Sequence, residues 1–380
     1  MLVKPQSTSF AKIKVVGVGG AGGNAINNMI KNHEIEGVEF IAVNTDAQVL
    51  ANNSAEIKLR IGEEITRGLG SGGNPQIGRK AAEESVDLLH EHLAGADMVF
   101  ITAGMGGGTG TGASPVIAGI AKNLGALTIA IVEKPFNFEG RKRMDAAIQG
   151  IAEIKDKVDT LIVVPNQRLL DVIERNISFM EAMKKVDDVL AMAVKSISEL
   201  ITQGGMINVD FADIKSIMLN AGTALMGMGI ASGEDRAKEA AKMAMESPLL
   251  EASIEGATGV LFNIFGGDDL AMFEIDEIAR TISDVVHPDA NIFFGANVDS
   301  SMDEQLQVTV LATGFDTNNQ GIPIPVAKTK VSSEIPRPVS ISKDQPPKPT
   351  NALFSDDIDD DYDMDNLEST PSYMRRKKEY

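Results

Sequence analysis

The sequence predicts an α/β fold: a doubly wound, mostly parallel sheet forming a nucleotide-binding domain, a long central helix, and a second, smaller α/β domain. Three observations carry this. Short β-branched apolar runs alternate with amphipathic stretches as far as residue 315. Two of three glycine-rich stretches follow such runs directly. The 380 residues, 43% of them hydrophobic, exceed one ordinary domain and can fill sizeable cores.

Residues 1–10 are expected to be a flexible extension. Strands are expected at 13–18, 38–43, 56–61, 98–102, 127–132 and 161–164, with a helix over 76–92 carried by Ile77, Ala81, Val86, Leu89 and Leu93. These make a first domain over 11–176. In 177–202 the apolar residues Met180, Met183, Val186, Leu190, Val194, Ile197 and Ile201 recur every three or four positions, which predicts one long core helix. Strands at 223–231, 259–265, 291–297 and 307–313, with helices near 234–245 and 270–283, make a domain over 203–316. Seven of the 15 prolines fall between 317 and 350, so 317–355 reads as a disordered linker. Residues 356–380 hold an acidic run, then Arg375, Arg376, Lys377 and Lys378, the form of a partner-binding tail.

The formal net charge is −19. The linker to residue 350 carries +3 and residues 351–380 carry −5, leaving −17 on 1–316. Such acidity disfavours nucleic acid and anionic lipid as partners. The absence of cysteine excludes disulfides, thiol catalysis and cysteine-ligated zinc. His90 and His92, two apart on a helix, do not face one another, so they predict no metal site. With no apolar run near 18 residues and no signal core at the N-terminus, a cytoplasmic protein without direct membrane insertion is expected.

Sixteen of the 36 glycines fall at 17–23, 68–78 and 104–112. Glycine weakens regular structure, so such clusters mark loops of close backbone approach, and at a helix start the free N–H groups can hold an anion. The first cluster satisfies G-x-G-x-x-G, with Asp46 after the next strand as a possible ribose partner, which alone would favour a dinucleotide enzyme, or else mark only a tight strand-to-helix turn. The third cluster tips the balance, because a triphosphate with Mg²⁺ can use two glycine nests where one pyrophosphate needs one. No Walker-type G-x-x-x-x-G-K-[ST] occurs, and Thr109 and Thr111 supply hydroxyls instead.

Gly106-Gly107-Gly108-Thr109-Gly110-Thr111-Gly112 resembles the signature loop of the tubulin superfamily, and Asn208-Val209-Asp210-Phe211-Ala212-Asp213 resembles its hydrolysis-completing loop. With residues 19–25, Asn44-Thr45-Asp46, residues 133–139, Arg143 and Tyr373-Met374-Arg375-Arg376, the chain is similar to the bacterial cell-division FtsZ family over roughly 11–315 and the tail. The resemblance implies a GTPase that polymerises head to tail into the contractile ring at the septum, at midcell. It places Gly20, Gly22, Gly23 and Asn24 at the phosphates, Gly106, Gly107, Gly108, Thr109 and Gly110 around the triphosphate, Ala21, Ala25, Asn44 and Gly72 in the same nucleotide site, and Glu139 and Arg143 at the ribose and nearby groups. Asn166 and Asp187 would read guanine. The residues alone also allow Asn166 as a turn residue and Asp187 as a solvated carboxylate. Met183 stands where relatives commonly carry a phenylalanine against the base, and its sulfur can contact the ring.

The resemblance makes Asp210, Asp213 and Asn208 catalytic, entering the neighbouring subunit's pocket. From the sequence alone the spacing of Asp210 and Asp213 is better read as an N-cap and a first-turn acid of the following helix, a role that can coexist with catalysis. Pro371, Tyr373, Met374, Arg375 and Arg376 would bind a membrane adaptor of the FtsA type and other division proteins, although Ser369 and Thr370 depart from the family pattern.

Overall fold

The computed structural model describes residues 11–33, 35–172, 177–202, 207, 209–250 and 252–315, with the side chains of 171, 172 and 301 left out. The N-terminal extension, the linker and the tail therefore lie outside the described residues.

The strands are β1 Ile13–Val18, β2 Val38–Asn44, β3 Ile57–Arg60, β4 Met98–Gly104, β5 Leu127–Lys134, β6 Thr160–Pro165, β7 Gly222–Ser232, β8 Gly259–Gly266, β9 Asn291–Val298 and β10 Gln305–Thr313. The α-helices are α1 Gly19–Asn28, α2 Ala47–Ala51, α3 Glu63–Thr66, α4 Pro75–Glu84, α5 Val86–Leu93, α6 Thr109–Asn123, α7 Arg141–Lys155, α8 Asn166–Val172, α9 Phe179–Thr202, α10 Phe211–Met218, α11 Arg236–Met245 and α12 Met272–Ser283. A π-helical turn, Met29–His33, continues α1.

Every strand expected from the sequence is present. They form one sheet in the order β3-β2-β1-β4-β5-β6-β7-β10-β8-β9. From β3 to β6 all neighbours are parallel. β7 pairs parallel with β6 over three residues, 222–224, and then runs antiparallel to β10. Strand order reverses between the adjacent strands β1 and β4, and both long glycine loops leave from their C-terminal ends. Ligands of doubly wound sheets bind at that switch point.

Successive residues of a strand point to opposite faces, and β1 shows it. Ile13 and Val15 join the core under α1 and α9, whereas Val16 and Val18 join the core under α4, α5 and α6. A third cluster lies among β8, β10, α11 and α12.

One expected element differs. The helix over 76–92 is two helices, because Ser85 leaves helical geometry (φ −108°, ψ 24°). Its Oγ accepts from the Gly62 N–H at 3.1 Å, tying the break to the loop before α3. The apolar period continues through the break, which hides it in the sequence. Among the described residues no helix is long and apolar enough to cross a membrane.

Candidate nucleotide site

Two helices open at the switch point without a side-chain cap: α1 after Val18 and α6 after Gly108. Their first N–H groups are left without side-chain partners, and the helix dipoles add positive potential there. By contrast α2, α4 and α10 are capped by Asp46, Asn74 and Asp210. Asp46, the possible ribose partner, is thus engaged as a cap, accepting from Gln48 N at 2.9 Å and Val49 N at 3.1 Å.

Absent side chains let the loops interlock. A Cβ on Gly22 would collide with Thr102 O, and one on Gly110 would lie 2.6 Å from Gly104 O. A Cβ on Gly108 would lie 2.8 Å from Asn74 N, so the 68–73 loop closes on the same place. The hydroxyl of Thr109 ties the third glycine loop to the turn after β2 and to the 68–73 loop, 2.7 Å from Thr45 Oγ1 and 3.0 Å from Ser71 Oγ. Thr45 entered the sequence reading only as part of the Asn44-Thr45-Asp46 motif and Ser71 not at all; a hydroxyl inside a glycine run was the available signal for Ser71. Asn44 is buried and accepts from Asp46 N at 3.2 Å, shaping the adjoining turn. At Gly20, Gly72 and Gly107 an added Cβ would meet nothing within 4 Å, so these backbones border open space. Asn24 is exposed and Ala21 half-buried against Gly104, while Gly23 and Ala25 are buried in α1.

A polar group closes the other end. Glu139 accepts from Phe136 N at 2.9 Å and pairs with Arg143 Nε at 3.1 Å. Gly106, at φ 95°, packs so closely beneath Arg143 that a Cβ would lie 2.6 Å from its carbonyl oxygen, which joins this pair to the third glycine loop. Asn166, 5% exposed, donates from Nδ2 to Oε2 of Glu133 at 3.4 Å, and Glu133 is itself 6% exposed. Asn166 Oδ1 and Glu133 Oε1 are buried without a protein partner. Asp187 is half-buried on α9, one turn after the part-buried Met183. Burial, then the neighbouring Asp188, pushes Asp187 up to about 7, and burial followed by Asp187 does the same to Glu133. Asp187 is therefore no freely solvated carboxylate. Sequence reading gave Glu133 no role; its signal was an acid ending an apolar strand in register with Gly104.

The donors and acceptors fit a nucleoside triphosphate. Free N–H groups and helix N-termini suit phosphates, and the acceptors Asn166 Oδ1 and Asp187 suit guanine N1–H and N2–H₂, which adenine lacks.

The acid loop lies elsewhere. Asp210 Oδ1 accepts from Asp213 N at 2.7 Å, so the capping expectation holds. Thr160 Oγ1 at the start of β6 donates to Met218 O at 2.5 Å, and Gly222 N donates to Asp159 O at 2.9 Å, which fixes the C-terminal end of α10 at the N-terminal edge of the parallel strands; Thr202 Oγ1, at the end of α9, donates to Glu36 O just before β2 at 3.5 Å, so the chain enters the acid loop from the same edge. The glycine loops occupy the opposite edge. Asn208 lies outside the described residues.

Residues 12–174 match the Tubulin/FtsZ family GTPase domain, and residues 222–316 match the FtsZ family C-terminal domain. The fold is similar to an empty FtsZ dimer from M. jannaschii, at 47% identity and a TM-score of 0.78, covering 81% of this chain and 89% of that one. A point mutant of M. jannaschii FtsZ gives 48%, 0.77, 80% and 91%. A protofilament of CetZ2 from Haloferax volcanii bound to GTPγS shares the fold, at 21% identity, a TM-score of 0.67 and coverage of 81% and 95%. With nearly half of its residues identical to an FtsZ across almost all of that chain, the chain belongs to the FtsZ family of tubulin-type GTPases.

Proposed function

We propose that the chain polymerises head to tail into cytoplasmic filaments that form the contractile division ring at midcell, with GTP hydrolysis completed in trans. The observation that carries this is the placement of the acid loop. Asp210 and Asp213 stand at one edge of the parallel sheet and the glycine loops at the other, separated by strands about 20 Å long. Their carboxylates cannot polarise water at their own chain's γ-phosphate. A second subunit stacked on the glycine edge brings an Asp210–Asp213 loop to it, and such a repeating heterologous contact propagates without closing.

Around the glycine edge Leu69 (84% exposed), Phe138, Phe179 and Met180 (75%) are exposed apolar residues suited to a subunit contact. The FtsZ dimer and the CetZ2 protofilament support the reading. Phosphoryl transfer needs positioning and charge neutralisation above all. The uncapped N–H groups of α1 and α6 supply part of the latter, and Mg²⁺ arriving with GTP would supply more. Asp213, with Asp210 and Asn208, would polarise the attacking water of the neighbour's nucleotide. The tail residues Pro371, Tyr373, Met374, Arg375 and Arg376 would reach an adaptor of the FtsA type.

Phosphate release per subunit is expected to rise steeply above a threshold protein concentration, and a flat specific activity on dilution would exclude hydrolysis in trans. Asp213→Ala should retain GTP binding and lose turnover by about a hundredfold or more; loss of binding instead would make the residue structural.

A further inference from the structure

The carboxyl of Glu133 has no part in the scheme above, yet it is nearly inaccessible and sits where the base is read. It is the penultimate residue of β5, its backbone O accepting from Met105 N at 3.0 Å, and its Oε2 lies 3.7 Å from the position of a Cβ on Gly104. Asn166 Nδ2 donates to that same Oε2. An asparagine amide has one donor side and one acceptor side. With Nδ2 committed to Glu133, the buried, unpartnered Oδ1 is turned the other way.

We propose that Glu133 is a positioning residue for guanine selection, anchoring the Asn166 amide so that Oδ1 and the Asp187 carboxylate together present only acceptors to the base. This rests on the nucleotide reading and deepens it. Guanine offers N1–H and two N2–H donors, and three donors against a wall of acceptors leave none unpaired. Hypoxanthine lacks the 2-amino group, and adenine meets the wall with an acceptor at N1, so each leaves a buried acceptor unsatisfied.

The arrangement is sensitive to protons. Facing Glu133 are Asp187 from α9, Glu139 with its partner Arg143 from the turn and helix after β5, and Asn166 from α8; Asp188 lies behind Asp187 and Lys134 follows in sequence. Burial and the facing acids hold both Glu133 and Asp187 at about 7. Above that pH both are ionised and the acceptor wall is complete. Below it, Glu133 gains a hydroxyl that donates to Asn166 Oδ1, turning the Nδ2 donor towards the base, and Asp187 becomes a donor as well. Guanine preference should fall with pH.

The test is equilibrium binding of GDP, IDP and ADP to the full chain between pH 6 and 8, for wild type, Glu133→Gln and Asp187→Asn. Wild type should prefer GDP to IDP by about tenfold at pH 8 and lose most of that by pH 6. In E133Q the preference at pH 8 should fall to about threefold or less. The pH at which GDP affinity declines should move down, because one negative charge beside Asp187 is gone. A merely structural Glu133 would weaken all three nucleotides alike and leave the pH midpoint in place, and that result overturns the proposal. Should E133Q not fold, Glu133→Asp keeps the carboxyl one methylene short; an unchanged GDP to IDP ratio there also overturns it. Failure of wild type to bind GDP would overturn the nucleotide reading itself. A base preference lost in D187N but kept in E133Q would remove only the role of Glu133.

Discussion

α1 and α10 both start from loops at an edge of the same parallel strands, and they begin in opposite ways. α10 uses Asp210 to satisfy its own N–H groups, at 2.7 Å. α1 starts on Gly19 and Gly20 with no side chain turned back to it. A helix end supplied with Asp or Asn is self-sufficient, whereas one supplied with glycine keeps its donors for something outside the chain. The first kind of end can be presented to a neighbour, and the second kind receives a ligand.

Three kinds of change break or sharpen that contrast, the first of them a pair of glycine substitutions. The largest effect is expected from Gly22→Ala. Its methyl group would strike the Thr102 carbonyl, backbone against backbone, so denaturant unfolding should show a loss of more than about 3 kcal/mol. Gly20→Ala, two residues earlier, meets nothing within 4 Å and should leave stability unchanged or raise it by up to about 1 kcal/mol. Its methyl group enters the cradle, however, so GDP affinity should drop about tenfold. Equal effects of the two changes on stability would mean that α1 has no free face.

The second change is pH. Burial pushes Glu133, Asp187 and Glu199 up to about 7, so the folded chain holds protons that the unfolded chain releases above about pH 4.5. The unfolded state then binds fewer protons, and stability declines as pH rises from about 4.5 through 7. The thermal midpoint of the nucleotide-free chain should therefore be lower at pH 7.5 than at pH 5.5. A rising midpoint would mean that these carboxyls are ionised in the fold. The smallest effect belongs to Asp46→Ala, which removes a cap of the self-sufficient kind. It should cost about 1 kcal/mol in unfolding experiments and leave GDP affinity alone. A loss of affinity would return Asp46 to the ligand.

The parallel strands were legible because buried strands read as continuous apolar runs, and β1 is recovered residue for residue. The break at Ser85 was not, since a single hydroxyl bonded to a distant backbone N–H leaves the helical period intact. Within the site, glycine clustering exposed the phosphate loops because the spacing itself carries the chemistry. The hydroxyl cluster of Thr45, Ser71 and Thr109 joins residues up to 64 positions apart and depends on tertiary approach alone. Glu133 escaped for the same reason, as its neighbours Asn166 and Asp187 come from separate helices.

The two halves of the sheet share only the three residue pairs of 160–162 with 222–224, against six between β1 and β2 and eight between β7 and β10. α9 also joins them, through Val194, Ile197 and Leu200, which gather Ile162, Ala224, Met226, Leu261 and Leu311 into one cluster, and through Ser196 O, which accepts from Asn263 Nδ2 of β8 at 3.3 Å. A hydrogen-bonded ladder locks register, because a slip of one residue breaks every rung and reverses every side chain. Buried apolar surface has no direction and no register. Register is thus held by long ladders inside each half, whereas between the halves three rungs and a few single hydrogen bonds hold it, and most of the surface buried under α9 holds none.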